Sequence, residues 1–483
     1  MASNYQLGLY NELMETKEAL AQERKMNQQL REENKELKQT ISELKQTIQD
    51  LRTEINRLKN IIEKDSSNSS KPSSTNGYKK VVSNNRKPSH KKPGKPKGFS
   101  STNLSEKKVQ KLIQSGDVET VTIEVNKNKK NQNKPYRSVR VIDIKVVKQI
   151  IEYRYYPDEN GNYSIPEYHN RSIQYGSNIK AITNILMNEV YNSTDGVCKF
   201  IRDITNGGIE LSKSSLIRWN KELAEKLEKE ITEIETQLLN SYYINHDESQ
   251  IKINGDGYND LCASNSKYTR LWIHKHKSQD ALKEIGFLPQ YQGIIVKDGT
   301  KLYNGFGAML AQCICHIQRY LKGVYTKVDH PSAKEMDEFL SACIHERKEK
   351  IKAGVLEYTK EELDEKYQKY DAILKRWKKE WMYSDSVENP VYDDERKLLS
   401  RMEDDDKKEI LYFLEDFKIP ATNNQAESDQ RNIKIKQKIG KFRCVEGAEN
   451  YAVIRSCINT YKKQDINVLK AIISAFENNP VIV

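Results

Sequence analysis

A heptad repeat of leucine and isoleucine is the feature that most restricts how this chain can fold. Leucine recurs every seven residues from 30 to 58, and isoleucine recurs every seven residues from 41 to 62. Steps of four and three alternate between them, which places leucine at d and isoleucine at a and predicts a parallel two-stranded coiled coil. Asn34 and Asn27 fall at further a positions, where a buried asparagine fixes register and strand number. We therefore expect residues 8–64 to form a coiled-coil zipper that makes the chain a homodimer or a larger assembly; a single solvated helix is the alternative.

The next segment, residues 65–103, changes abruptly in composition. Serine, asparagine, proline and glycine dominate it, and between positions 71 and 97 it holds nine basic residues and no acid; Lys91, Lys92, Lys95 and Lys97 are among them. Such a segment has too few apolar side chains to form a core, so it is predicted to be a disordered basic linker. Two interpretations of its role are open: an arm that neutralises nucleic-acid phosphates, or a soluble spacer.

Composition and length limit the class of protein. The chain has 483 residues, enough for several domains, with 80 Lys and Arg against 69 Asp and Glu and a net charge of +11. No window reaches the roughly 18 unbroken apolar residues of a membrane span, so no membrane partner is expected. The first residues lack the pattern of a signal peptide, and the seven cysteines, all from Cys198 onward, form no even framework. We expect a cytoplasmic protein.

Two segments follow the linker. Residues 104–175 contain strand-like runs such as "VETVTIEV" and "SVRVIDIKVV", which predict a small β-rich module. Residues 176–240 contain three helical stretches, and a Gly-Gly pair separates the second from the third. This arrangement resembles a helix-turn-helix with Lys213 and Arg218 near the front of a recognition helix, although ordinary helix pairs in protein cores have the same pattern.

The remainder of the chain predicts an α/β or α+β domain. Residues 241–330 hold short β-rich runs between Asp, Gly and Asn turns, and a helical stretch follows them. Residues 331–417 are almost wholly helical and highly charged, and residues 418–483 are helical again. Strands followed by helices within one segment predict a core domain with a long helical insertion.

Acidic residues follow two of the predicted strands. Asp247 closes "YYINHD" and Asp298 closes "GIIVKD", so both carboxylates are expected at the rim of the sheet. A third acid from a helix across the sheet would complete an oxygen cage of the kind that Mg²⁺ prefers. Two such ions about 3.5–4 Å apart clamp the attacking and leaving oxygens of a phosphoryl transfer. Each aspartate alone also fits an ordinary turn after a strand.

The stretch "NNQAESDQR" offers two acids for the third position. Glu427 and Asp429 are two residues apart, so on a helix they point about 200° apart and cannot face one site together. Glu427 also fits a capping box behind Asn423 or Asn424, or an ion pair with Arg431 four residues on. Spacing alone leaves the choice open.

Several of these segments occur in the same order in one known family. The segments "YGSNIKAITNIL", "LSKSSLIRW", "HDES", "VKDGTKLYNGF", "CICHIQRYL", "NNQAES" and "KIGKFRCVEGAENYAVIRS" resemble those of DDE transposases of insertion-sequence family sixty-six. The resemblance runs from the zipper to about residue 475. It implies an RNase H-like core, formed by residues 241–330 and 418–483, with catalytic and metal-binding residues Asp247, Asp298 and Glu427. Asp429 is left out of that set.

The resemblance also implies an activity and its partners. A bacterial enzyme of this family would bind the terminal inverted repeats of an insertion sequence, cleave a strand at each end and join the freed 3′-hydroxyls to target DNA. It would use two Mg²⁺ or Mn²⁺ ions and no zinc, would bind double-stranded DNA, would associate with the nucleoid when bound, and could need small accessory transposition proteins. The site-supporting candidates are Asn423, Asn424, Cys313 and His316. The candidate DNA contacts after Glu427 are Arg431, Lys434, Lys436, Lys438, Lys441 and Arg443, which also fit a solvated helix face.

The chain departs from the family at three places, and two other functions remain open. Residues 104–197 contain no cysteine where many members carry a zinc-binding module, Asn245 replaces a usual histidine, and Ser428 replaces a usual arginine. One alternative is a catalytically inactive dimeric DNA-binding protein. The other is a coiled-coil scaffold without a nucleic-acid role.

Overall fold

A mixed sheet of five strands positions the residues of the candidate site. The computed structural model describes residues 2–64, 105–479 and 481, apart from 117, 126, 128–134, 136, 167, 168, 170, 329 and 383–391. The strands are Tyr243–Ile253 (β1), Asp256–Ser264 (β2), Thr269–His274 (β3), Ile294–Lys297 (β4) and Met309–Gln312 (β5). Their order is β3-β2-β1-β4-β5. β1 runs antiparallel to β2 and parallel to β4, so the sheet is mixed and the predicted α/β class is confirmed.

Local sequence explains the two halves of the sheet. β1 and β2 form a hairpin whose two-residue turn is Asn254-Gly255, with φ of 51° and 97°. Asn-Gly suits this turn because both residues tolerate positive φ, and the turn fixes the register between the strands. All four residues of β4 are buried, as is usual for a parallel strand covered on both faces.

Helices cover the sheet and extend from it. The described α-helices that follow residue 176 are α3 (Ser177–Asn188), α4 (Thr194–Ile204), α5 (Lys213–Lys226), α6 (Glu228–Leu239), α7 (Gln279–Ile285), α8 (Ile314–Tyr325), α9 (Pro331–Lys352), α10 (Lys360–Met382), α11 (Tyr392–Arg401), α12 (Asp404–Glu415), α13 (Asn424–Ile439), α14 (Val445–Lys463) and α15 (Val468–Phe476). The third predicted helix of residues 176–240 is divided in two, because the backbone leaves helical geometry at the buried Leu227. No proline or glycine marks this break.

The helices of residues 331–415 have a core of their own. Trp377, Tyr370 and Leu340 lie at its centre and are fully buried. The same cluster includes Ile317 on α8 and Leu414 on α12, and α12 packs against β5. The segment predicted as a helical insertion is therefore helical where the structure describes it, and its apolar side chains are satisfied mainly within the insertion.

The C-terminal helices cover the part of the sheet formed by β1, β2 and β3. α13 lies across β1 and β2, and α14 packs against β3 and α5. Ile433 and Tyr451 from these helices meet Ile251 and Ile253 of β1 in one apolar cluster. Because α3 packs on α15 and α5 on α14, the region predicted to resemble a helix-turn-helix is joined to the C-terminal helices of the chain.

The chain divides into two compact units. One comprises residues 1–83, 155–201 and 210–483, and the other comprises residues 84–154 and 202–209. Within the second, α2 (Glu106–Ser115) begins at Ser105, which accepts a hydrogen bond from the Lys108 N–H at 3.4 Å, and ends at Gly116 with φ 72°. The described part of residues 104–175 contains no β-strand, so the predicted β-rich module is not found. Its apolar side chains, such as Ile123 and Val139, are about 80% exposed, and among the described residues no strand pairs with them.

The N-terminal zipper segment is one helix, α1, over Ala2–Glu63. Its heptad leucines and isoleucines are exposed in the single chain; Leu37 is 60% and Ile41 50% accessible. The helix is confirmed and its pairing with a second copy stays a prediction. Lys91, Lys92, Lys95 and Lys97 of the predicted linker lie outside the described residues. Among the helices that the structure describes, none combines the length and apolar character needed to cross a bilayer.

Gly307, just before β5, is predicted to be intolerant of a side chain. Its φ is +69°, and an added Cβ would lie 2.8 Å from the Gly293 carbonyl oxygen. We expect Gly307→Ala to lower the free energy of unfolding by about 2–4 kcal/mol, measured by urea denaturation, because strain and crowding add. Gly305, with φ +90° and nothing within 4 Å, is the matched control, and Gly305→Ala should cost only about 1 kcal/mol. Equal losses would contradict the close approach.

Candidate active site

Asp247 and Asp298 occupy equivalent positions on the two central strands. Asn245 of β1 pairs with Val296 of β4 in the parallel part of the sheet. Asp247 comes two residues after Asn245, and Asp298 comes two residues after Val296. Both therefore lie where the two strands stop pairing with one another. The prediction that Asp247 closes its strand is wrong, because β1 continues to Ile253 through its pairing with β2. The carboxylate is at the end of the parallel pairing instead.

Glu427 faces these residues from the first turn of α13, whereas Asp429 does not. The Asp429 carboxylate is 7% exposed, pairs with Lys463 Nζ at 2.7 Å and accepts a hydrogen bond from Thr269 Oγ1 at 3.0 Å. Neither structural alternative for Glu427 is seen in the described part of the chain. No ion pair joins Glu427 to Arg431 there, and its Oε1 is buried without a hydrogen-bond partner.

His316 on α8 lies between the second and third acids. Its Nδ1 is 2.8 Å from Asp298 Oδ1, and its Nε2 is 3.9 Å from Glu427 Oε1. The atoms Asp298 Oδ1, His316 Nδ1 and Glu427 Oε1 are all buried and lack an aligned hydrogen bond. One ligand atom from each of Asp298, Cys313, His316 and Glu427 lies within 4.8 Å of the others. Polar atoms of these side chains thus lie close together without forming hydrogen bonds with one another.

The charges of these acids act on Asp247. Burial raises the pKa of Asp247 well above its ordinary value, and the neighbouring charges of Asp298, Glu248 and Glu427 raise it further. The Glu248 N–H, which donates to Asp247 Oδ1 at 2.9 Å, acts in the opposite direction. The three acids predicted for the site are therefore close enough to repel one another.

The residues that flank Asp247 are held by an internal network. Glu248 pairs with Lys277 and accepts a hydrogen bond from the Tyr303 hydroxyl. His246 Nδ1 lies 3.1 Å from the same hydroxyl, and burial lowers the pKa of His246 to about 3, so its imidazole is neutral. Sequence reasoning did not identify Glu248 and Tyr303, which fix the backbone on both sides of Asp247.

Asn423 connects the elements that carry the three acids. Its N–H donates to Cys313 Sγ at 3.1 Å, and its Nδ2 donates to the His246 carbonyl at 2.9 Å. Its Oδ1 accepts from Asn245 Nδ2 at 3.0 Å, and its carbonyl accepts from the Glu427 N–H at 3.3 Å. The side chain therefore serves as a tie between β1 and α13 and does not cap the helix. Asn424, the other predicted support, is exposed.

Cys313 precedes α8 and is buried beside the site. A hydrogen bond with Cys315, and then burial, raise the pKa of Cys313 well above its usual value. The same contact lowers the pKa of Cys315 to about 7. Cys313 is thus held as a neutral thiol whose sulfur accepts the Asn423 N–H, and its role in supporting the site stays a prediction.

The donor set fits a divalent cation. Two oxygens without hydrogen-bond partners, from Asp298 and Glu427, face one region, and burial, together with the like charges beside it, shifts Asp247 toward its neutral form. A cation would remove that repulsion and supply the missing partner of each oxygen. Carboxylates are the ligands that Mg²⁺ and Mn²⁺ prefer, and the thiol of Cys313 and the imidazole of His316 are ligands that Zn²⁺ also accepts.

The predicted DNA-contacting residues divide by exposure. Lys434 donates to the Gln250 carbonyl, and Lys436 donates to the Met187 carbonyl at 3.2 Å, so both are half-buried. Lys213 is exposed and pairs with Asp195 at 2.9 Å. The exposed residues for which the described chain records no ion pair are Arg218, Arg431, Lys438, Lys441 and Arg443.

The fold and site define a class of protein. It is an α/β protein in which the sheet and a helix that covers it bring acidic side chains as close together as the ligands of a divalent cation. Residues 181–450 match the family model described as Transposase IS66 family. The match covers more than half of the chain, so the chain belongs to the IS66 family of transposases. No curated protein matches it.

The repulsion at Asp247 predicts a stabilising substitution. A raised pKa means that the folded state holds the proton more tightly than the unfolded state, so the free energy of unfolding falls as pH rises from the ordinary carboxyl pKa toward the raised one. At pH 7 in chelator, Asp247→Asn should therefore raise the free energy of unfolding, on the order of 1 kcal/mol. Thermal melts over a range of pH measure this effect.

Mn²⁺ and a second variant provide the controls. Mn²⁺ at about 100 times its dissociation constant should stabilise the wild type by about 2.7 kcal/mol, and it should not stabilise Asp247→Asn. Asp429→Asn should lower stability in chelator, because it breaks the pair with Lys463. A loss of stability in Asp247→Asn equal to that in Asp429→Asn would contradict the like-charge cluster.

Proposed function

We propose that the protein is a DNA transposase that binds the terminal inverted repeats of an insertion sequence and catalyses cation-dependent strand cleavage and strand transfer. The observation that carries the proposal is the convergence of acids from distant parts of the chain: Asp298 after β4, Glu427 on α13, and Asp247 within the influence of both charges. Membership of the IS66 transposase family supports a role in DNA processing.

Asp247, Asp298 and Glu427 would hold two Mg²⁺ or Mn²⁺ ions. When bound, the ions neutralise the phosphate and lower the cost of the attacking and leaving oxygens in an in-line displacement. The protein's part is to fix the three carboxylates on rigid elements and to present them at the carboxyl ends of the parallel strands. Water and then a 3′-hydroxyl would be the nucleophiles, and no covalent bond between enzyme and DNA would be required.

We further propose an RNase H-like arrangement for this catalytic unit. The mixed sheet supports it, because the first two acids extend from its two central strands, β1 and β4, and the third comes from a helix that crosses β1 and β2. The helices of residues 331–415 would be an insertion between the second and third acids.

Exposed cations near Glu427 supply a DNA-binding surface in this proposal. Arg431 lies one helical turn after Glu427, and Lys438, Lys441 and Arg443 continue to the end of α13 and beyond. Backbone phosphates on DNA would be neutralised by these side chains, which position the duplex without reading its sequence. Arg218, exposed on α5, is proposed to contact DNA elsewhere in the helical region 177–239.

The zipper would hold two copies of the enzyme together, one for each end of the element. The exposed leucines and isoleucines of α1 support this role, since an apolar stripe at heptad spacing is stable in water only when a partner helix covers it.

Loss of Asp247 should abolish joining without abolishing DNA binding. With purified protein, pre-cut element ends and Mg²⁺ or Mn²⁺, Asp247→Asn should reduce strand transfer by roughly 10²-fold or more, because a group that neutralises transition-state charge is lost. Ser428→Ala, at an exposed neighbour of Glu427, is the control and should retain the wild-type rate. Wild-type protein that binds the ends and never joins them would favour the catalytically inactive alternative.

Charges placed in the zipper seam should separate the copies. Leu37→Asp combined with Leu44→Asp puts carboxylates at two d positions, where pairing would bury them. Light scattering should then give a monomeric mass in place of a dimeric or larger one. Ser42→Asp adds a charge at an outward b position and should leave the assembly intact. A monomeric wild type would contradict the zipper.

A further inference from the structure

His316 is a buried polar side chain between the second and third acids that the proposed reaction does not require. Its side chain is 6% exposed, and it approaches Asp298 through Nδ1 and Arg319 through Nε2. Arg319 follows His316 by three residues on α8, so the two side chains occupy the same face of the helix. The distance from Arg319 Nη1 to His316 Nε2 is 2.9 Å.

The contact with Arg319 fixes where the imidazole carries its proton. A guanidinium group has only N–H donors, so Arg319 donates and Nε2 accepts. A neutral imidazole that accepts at Nε2 carries its proton on Nδ1. The Nδ1–H group therefore lies 2.8 Å from Asp298 Oδ1.

Asp298 is the hydrogen-bond acceptor nearest to the Nδ1–H group of His316. Nδ1 of His316 and Oδ1 of Asp298 are both buried, and neither makes an aligned hydrogen bond with any of the residues that the structure describes. Buried N–H groups are seldom left without an acceptor. A small rotation of the ring or of the carboxylate, such as a bound cation would impose on Asp298, would align the two.

We infer that His316 is a positioning residue: its Nδ1–H holds one oxygen of Asp298, while Arg319 fixes the tautomer from the far side of the ring. Asp298 then presents its second oxygen to the divalent ion in a defined orientation. The inference rests on the proposed function, because it gives His316 a role only if Asp298 binds the ion.

Direct coordination by His316 is the competing arrangement. An imidazole binds a metal through a nitrogen lone pair, and in this structure one ring nitrogen accepts from Arg319 while the other carries the proton. Coordination would require Arg319 to withdraw and the proton to leave Nδ1. The contacts of the molecule therefore favour a hydrogen-bond donor over a ligand.

Amide substitutions separate the two nitrogens. The side-chain nitrogen of His316→Asn can reach the place of Nδ1, whereas that of His316→Gln reaches the place of Nε2. Mn²⁺ affinity of the full-length protein, measured from the free-ion signal in electron paramagnetic resonance, should stay within about threefold of wild type in His316→Asn. It should fall about tenfold or more in His316→Gln, the range found for groups that orient metal ligands. Equal losses in both variants would overturn the inference.

Arg319 provides a test that does not alter the buried ring. Arg319→Ala should weaken Mn²⁺ binding in the wild-type background, because the tautomer is no longer fixed. In the His316→Asn background it should have no effect, because an amide has no tautomer to select. An equal effect in both backgrounds would overturn the inference, and this test remains available if His316→Gln fails to fold.

The nitrogen signal of bound Mn²⁺ distinguishes this inference from the proposed function. Electron spin-echo modulation should show no directly coordinated nitrogen in the wild type. A nitrogen signal that disappears in His316→Asn would make His316 a ligand and overturn the inference, while leaving the proposed function in place. Mn²⁺ binding that is absent, or that is unchanged in Asp298→Asn, would overturn the proposed function itself.

Discussion

Repulsion among three half-buried carboxylates is the constraint on which the arrangement of the candidate site depends. Asp247, Asp298 and Glu427 are held near one another, and burial first, then these neighbouring charges, raise the pKa of Asp247. Such a cluster would spread apart on a flexible scaffold. It persists because β1 and β4 are hydrogen-bonded up to the pair Asn245–Val296, so the positions of the two aspartates are fixed by the sheet.

The third acid, Glu427, is held in place by contacts made at the two ends of the helical insertion. Between Asp298 and Glu427 the helices of residues 331–415 pack largely on their own core. The chain returns to the sheet where the Ile314 N–H donates to the Ala421 carbonyl at 2.9 Å, and Asn423 then ties α13 to β1. These bonds lie at the base of the insertion and hold α13, with Glu427, against the sheet.

Local patterns in the sequence predicted much of this fold and part of the site. The Asn254-Gly255 turn, the buried run of β4 and the heptads of α1 each have a short-range cause, and the structure has a hairpin, a strand and a helix there. Alternating apolar residues such as Ile123 predicted strands that are not found, since a strand needs a partner that its own sequence does not specify. Two contacts could not be predicted from spacing. The contact of Arg319 with His316 depends on the orientation of the two side chains, and the contact of Asn423 with β1 joins residues that are far apart in the sequence.

The two faces of α13 show why charge counted along a sequence overstates the charge at a surface. Asp429 and Lys434 are on the same helix as Glu427 and Arg431, yet Asp429 is paired with Lys463 and Lys434 is bonded to a carbonyl of β1. The charge of Asp429 is paired inside the unit, and Lys434 is half-buried, so neither side chain is fully presented to a partner. The exposed cations Arg431 and Lys438 lie on the outer face, so the charge that the helix presents there differs from the charge counted along its sequence. In the proposed function, a phosphate backbone that approached Glu427 would meet the exposed cations on the outer face of the helix and the three carboxylates at the site, which is the arrangement that a cation-dependent enzyme acting on DNA requires.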